Sequence, residues 1–122
     1  MMRSRRFMLA GSALALLLVA ANARAAEIAF LLPIEKGHVP ANKRLIRVKQ
    51  GDAVKLQWST DRRVILHLHG YDITTEVVPG TVADMTFTAR ATGRFTVEPH
   101  LAKAPSGSHA HGDVLVTIEI YP

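Results

Sequence analysis

Val64-Ile65-Leu66-His67-Leu68-His69-Gly70-Tyr71-Asp72 sets leucine and histidine at alternate positions and then runs into Gly70-Tyr71-Asp72. Side chains of a strand point to opposite faces in turn. Leu66 and Leu68 are therefore expected on one face, and His67 and His69 on the other. The same period of two recurs on both sides of this stretch. Before it, Ile46 and Val48 share a face within 45–49. Gln50-Gly51-Asp52 reads as a turn, and Val54, Leu56 and Trp58 alternate after it. Residues 27–32 form a short apolar run ended by Pro33, and residues 59–63 are polar and turn-like. After the histidine stretch, Pro79-Gly80 marks a turn, and Met85, Phe87 and Ala89 alternate with threonines. Thr92-Gly93 leads into Phe95-Thr96-Val97. The clearest strand is the last, where Val114, Val116, Ile118 and Ile120 alternate with Leu115, Thr117, Glu119 and Tyr121. About seven short strands separated by frequent turns predict an all-β, antiparallel Greek-key sandwich or barrel. There is no internal repeat, no useful helix-period segment and no linker that would split the chain.

The N-terminus predicts export. Arg3, Arg5 and Arg6 precede an apolar run over 7–20, and Ala23-Arg24-Ala25 gives the small-x-small pattern read by signal peptidase. The alternative, a membrane anchor, needs about 20 apolar residues, and this run is shorter. The expected organisation is a cleaved signal over 1–25 and one domain over 26–122, periplasmic and without a membrane span after cleavage. Ser4-Arg5-Arg6-Phe7-Met8-Leu9 also resembles a twin-arginine signal, so both export routes stay open.

Removing that segment changes the charge argument. Four of the fifteen basic residues (Arg3, Arg5, Arg6, Arg24) lie in it and none of the ten acidic ones, so eleven face ten and the net charge falls to +1. The basic balance of the whole chain thus reports the targeting segment and gives no ground for nucleic-acid binding. A stripe of Lys43, Arg44, Arg47 and Lys49 survives, which is the pattern of a solvated strand face. The chain has no cysteine. An exported domain of this size often leans on disulfides, so this one is expected to rest on its core. The same absence excludes a thiolate nucleophile, an iron–sulfur cluster and a blue-copper centre, which needs a Cys sulfur on the metal.

Five of the six histidines fall in two places. His67 and His69 share a strand face, and His100, His109 and His111 stand in or beside a long segment, 100–113, before the last strand. Loops of that length in a compact domain are usually functional or disordered. Imidazole suits Cu(II), Zn(II) and Ni(II), with Cu(II) bound tightest in the usual divalent series. The candidate metal ligands are His67 and His69 from the strand, His100 from the strand end, and His109 and His111 from the loop. Glu98 and Asp72 are candidate oxygen ligands or partners that fix a histidine tautomer. The plainer alternatives are that His67 and His69 fill a polar sheet face and that His109-Ala110-His111 is polar loop. His38, alone before Val39-Pro40, reads as structural or exposed. No Gly-x-Ser-x-Gly, phosphate-binding glycine loop or His-Glu-x-x-His is present, and the chain is not expected to be an enzyme.

From Leu45 to the C-terminus the chain resembles the cupredoxin family. The resemblance is carried by Val48-Lys49-Gln50-Gly51-Asp52 with Val54-Lys55-Leu56, by His67-Leu68-His69-Gly70-Tyr71-Asp72, and by Pro79-Gly80, Phe87-Thr88-Ala89 and Gly93-Arg94-Phe95 in that order. It implies a Greek-key sandwich whose first metal histidine comes from the His67 segment. Copper-carrying members follow the Gly-x-Phe strand with a cysteine, often an adjacent histidine, and then a loop holding a histidine and a methionine. Here Phe95-Thr96-Val97-Glu98-Pro99-His100 places Pro99 at the cysteine position, and the only methionine after the signal is Met85. The chain is therefore similar to cysteine-less exported bacterial members, which resemble the cupredoxin domain of periplasmic iron-uptake proteins.

Two functional expectations follow. The first is a periplasmic metal-binding protein that holds Cu(II) in a histidine-rich non-blue site, serving as carrier, buffer or accessory to an exported or membrane metal-handling partner; the alternatives to copper are another divalent ion or none. The second is a metal-free interaction module that binds another exported protein. Electron transfer through a blue site is disfavoured by the missing thiolate.

Overall fold

The computed structural model describes residues 27–100 and 112–122. The expected signal over 1–25 lies outside the described residues, as do His109 and His111. Among the described residues, eight strands form two sheets. They are β1 (Glu27–Ile34), β2 (Leu45–Lys49), β3 (Ala53–Thr60), β4 (Val64–Leu68), β5 (Ile73–Val77), β6 (Ala83–Thr88), β7 (Gly93–His100) and β8 (Val116–Tyr121). One sheet runs β1-β3-β6 and the other β2-β8-β7-β4-β5. A 3-10 turn, Ala41–Lys43, precedes β2. No helix among the described residues is long and apolar enough to cross a membrane.

The core lies between the sheets, where period-two alternation puts it. Leu56 and Trp58 of β3 and Leu66, Leu68, Val97 and Ile118 of the facing sheet are fully buried. Each neighbours a more exposed residue on its own strand, as in the exposed-buried alternation of β2. Burying such side chains is worth about 1.5–3 kcal/mol each, which is how the fold stands without disulfides.

Most pairings are antiparallel, but β1 pairs with β3 and β2 with β8 in parallel. The chain crosses to the other sheet between β1 and β3, so those two strands run the same way. β1 continues through Pro33 to Ile34, beyond the expected stop. Proline lacks a ladder donor and is tolerated on an edge strand, and β1 is an edge. β3 likewise absorbs Ser59 and Thr60. β5, Ile-Thr-Thr-Glu-Val, is the strand that composition did not reveal. It is a short edge strand with little apolar content, stabilised by antiparallel pairing to β4. β8 begins at Val116, and Val114 is exposed instead of extending the inward row.

Candidate metal centre

β4 lies between β7 and β5, and its alternation aims the two leucines and two histidines as their spacing predicts. Leu66 and Leu68 are buried in the core, and His67 and His69 stand on the outer face. The register sets Glu98 opposite His67 on β7, Thr74 opposite it on β5, and His100 opposite Ile65. β7 contributes Thr96, Glu98 and His100 to the same outer face. Pairing of β7 with β8 ends at Val97, so Pro99 lies past that ladder, opposite Leu66 of β4. The Pro99 carbonyl accepts a hydrogen bond from the Gly112 N–H at 3.1 Å.

The rings are close. The His67 and His69 centroids lie 4.4 Å apart at an interplanar angle of 73°, and those of His67 and His100 lie 5.2 Å apart. The His69 Nε2 lies 3.0 Å from the Glu98 Oε2, and the Thr96 hydroxyl donates to the Glu98 Oε1 at 3.4 Å. The turn after β4 has Gly70 at φ +89° and Asp72 at φ +53°. It returns the Asp72 carboxylate to 3.6 Å from the His67 Nε2, which is an ion-pair distance and too long for a hydrogen bond. The His67 Nδ1 is buried and has no hydrogen-bond partner among the described residues.

Other charges of this face form ordinary bridges. Glu119 joins Arg47 at 3.3 Å and Arg94 at 2.6 Å. Arg63 meets Glu76 at 2.6 Å, and the hydrogen bond and charge of that carboxylate raise the guanidinium above its usual pKa, against a small opposing effect of burial. Glu98 and Asp72 differ in facing histidines.

The structure thus brings His67, His69, His100, Glu98 and Asp72 together. His38 is apart and exposed, its backbone paired with Glu35 in both directions. The contribution of Thr96 was missed in the sequence. Its spacing of two from Glu98 was visible, but the register that sets both beside His69 was not.

A blue-copper centre does not fit these residues. No thiol exists in the chain, and Met85 is buried on β6 in the opposite sheet. A nitrogen-donor site fits in part. Three imidazoles are in ring contact through His67, and His67 presents a buried nitrogen with no hydrogen-bond partner among the described residues. No group of three His, Asp or Glu side chains among the described residues forms a ready-made ion cage.

No protein-family model matches the chain, and no curated protein sequence does. Solved structures do. The periplasmic domain of subunit II of cytochrome oxidase from Bradyrhizobium japonicum matches at TM-score 0.58 and 12% identity, over 79% of this chain and 85% of that one. A copper-binding protein in its apo form matches at 0.57 and 10%, over 79% and 89%. A heme-copper terminal oxidase matches at 0.54 and 19%, over 79% of this chain and 65% of that one, so the chain spans just under two thirds of its length. At such identities the likeness speaks for the fold alone: the chain is an all-β sandwich of two mixed sheets with the cupredoxin-like fold.

Proposed function

We propose that the chain is an exported, periplasmic metal-binding protein that holds Cu(II) in a nitrogen-rich, non-blue site, as a carrier, buffer or accessory in metal handling. The observation that carries this reading is the His67 Nδ1, a buried ring nitrogen without a hydrogen-bond partner among the described residues, packed beside the rings of His69 and His100. A buried polar atom left unsatisfied costs about 1–3 kcal/mol, and a bound cation would remove that cost. Bound Cu(II) would supply a redox-active cation suited to imidazole donors. His67 and His69 would hold it, with His100 adjacent. Copper binding by one structural neighbour supports the same choice. The arginine-led N-terminus supports export, and the resemblance to iron-uptake cupredoxin domains points to an exported or membrane metal-handling partner. No catalytic role is assigned.

The test is Cu(II) titration of the untagged protein purified from periplasm, with electron paramagnetic resonance. One tightly held, non-blue Cu(II) is expected. His67→Ala and His69→Ala should each weaken it by at least about tenfold, the scale at which changes around a metal site act. Unchanged affinity in both variants would sink the reading.

A second reading, a metal-free module for another exported protein, draws on two observations. The His69 Nε2 is already engaged by Glu98, and no three donors among the described residues form an ion cage. Under it, both variants capture the partner as the parent does. Capture lost only in the histidine variants would count against it.

A further inference from the structure

Tyr71, in the turn between β4 and β5, is held from three sides. Its ring packs against Phe87 of β6 with centroids 4.8 Å apart at an interplanar angle of 52°. The Phe95 ring of β7 lies edge-on to it at 5.0 Å. Its hydroxyl accepts a hydrogen bond from the Arg90 N–H at 3.2 Å. The plane of the ring and its polar tip are thereby both fixed.

Beside this ring lies a cavity of about 390 Å³, at the seam where β5 and β6, edge strands of the two sheets, come together. Its volume is within the range of small-molecule pockets, about 300–1,000 Å³. Tyr71, Ile73, Thr86, Phe87, Thr88 and Arg90 line it. Phe87 is buried and Tyr71 and Ile73 are half-buried, whereas Thr86, Thr88 and Arg90 are exposed. Apolar groups thus form the inner wall and polar groups the rim. Among the described residues no acidic side chain lines it.

Arg90 is set in place at this rim. Its N–H is bound by Tyr71, and its carbonyl accepts from the Gln50 Nε2 at 2.9 Å. Its guanidinium stands 5.9 Å from the Tyr71 ring centroid, at the outer reach of a cation–π contact, about 6 Å. Among the described residues Arg90 pairs with no carboxylate, whereas Arg47, Arg63 and Arg94 each do. A guanidinium stays charged at any ordinary pH, and its planar fork matches a carboxylate.

We infer that this cavity is a binding site for a small aromatic carboxylate, its ring against Tyr71 and Phe87 and its carboxylate on the Arg90 guanidinium. One cation without a neighbouring acid suits a monoanion, and the tilted rings offer an offset or edge-on wall to a third. No histidine among the described residues lines the cavity, so the site does not depend on the metal-binding reading.

The probe is 2-naphthoate, with the neutral 2-naphthylmethanol as its control, followed in 1H–15N spectra of the protein. Naphthoate should shift the amides of Tyr71, Ile73, Thr86 and Thr88 and the Arg90 Nε, with half-saturation below about 10 mM. Naphthylmethanol should bind the parent more weakly. Arg90→Gln is an exposed change that leaves both main-chain bonds available, and a circular dichroism melt confirms its fold. It should weaken naphthoate by at least about fivefold and leave naphthylmethanol unchanged. Absence of saturable shifts, or shifts centred on other residues, would overturn the inference. So would equal binding of the acid and the alcohol by the parent, or undiminished naphthoate binding by Arg90→Gln.

Discussion

Gly70→Ala is a stringent test of how the histidine strand is held, because two separate penalties meet at that position. Gly70 has φ +89°, in the left-handed region, where a Cβ costs about 1–2 kcal/mol. A Cβ built there would also stand 2.5 Å from the Phe95 Cδ1 and 2.8 Å from its Cε1. That ring cannot simply turn away, since it packs edge-on against Tyr71 with centroids 5.0 Å apart. Overpacking of this kind costs about 1–3 kcal/mol. Alanine returns about 0.4–1 kcal/mol by restricting the unfolded chain. The expected net loss is about 2–4 kcal/mol. For a domain of about 100 residues, each kcal/mol moves Tm by about 4–8 °C, so the midpoint should fall by about 8–32 °C. Urea unfolding followed by the single tryptophan, Trp58, measures the change. The same substitution in a Phe95→Leu background separates the two penalties. With the ring gone, its cost should drop by about 1 kcal/mol or more, leaving mainly backbone strain. A loss below about 0.5 kcal/mol, or equal losses in both backgrounds, would refute the claim that Phe95 and Gly70 jointly set the turn that aims Asp72 at His67.

Two further predictions concern the framework. The Trp58 Nε1 is fully buried without a hydrogen-bond partner among the described residues, so Trp58→Phe trades a smaller cavity against removal of an unsatisfied donor. Its loss, followed by circular dichroism, should stay below about 2 kcal/mol, against about 3–5 kcal/mol for Trp58→Ala; equal losses would mean that the indole N–H is satisfied in solution. Glu119 is shared between Arg47 and Arg94 across three neighbouring strands. Glu119→Gln should destabilise by about 0.5–1 kcal/mol at low salt and by less at 1 M, where the Debye length is about 3 Å. A loss independent of salt would place the effect in packing instead of charge.

The sequence alone determined the class of fold and the faces of the strands. Alternation in Leu66-His67-Leu68-His69 and in Val116-Ile118-Ile120 is a local property of extended backbone, and the buried rows fall where that alternation put them. It also excluded a thiolate site, since no cysteine exists to form one. β5 was not legible, because Ile73-Thr74-Thr75-Glu76-Val77 gains its order from pairing with β4 and not from its own composition. The path of β1 through Pro33 depended on its place at an edge. Only the tertiary structure decided which side chains meet. His69 is far along the chain from Thr96 and Glu98, and the pairing of β4 with β7 brings it within hydrogen-bonding distance of Glu98. Strand period is written in consecutive residues, whereas register is fixed by turns, edges and the packing of the opposite sheet, which no short stretch of sequence contains.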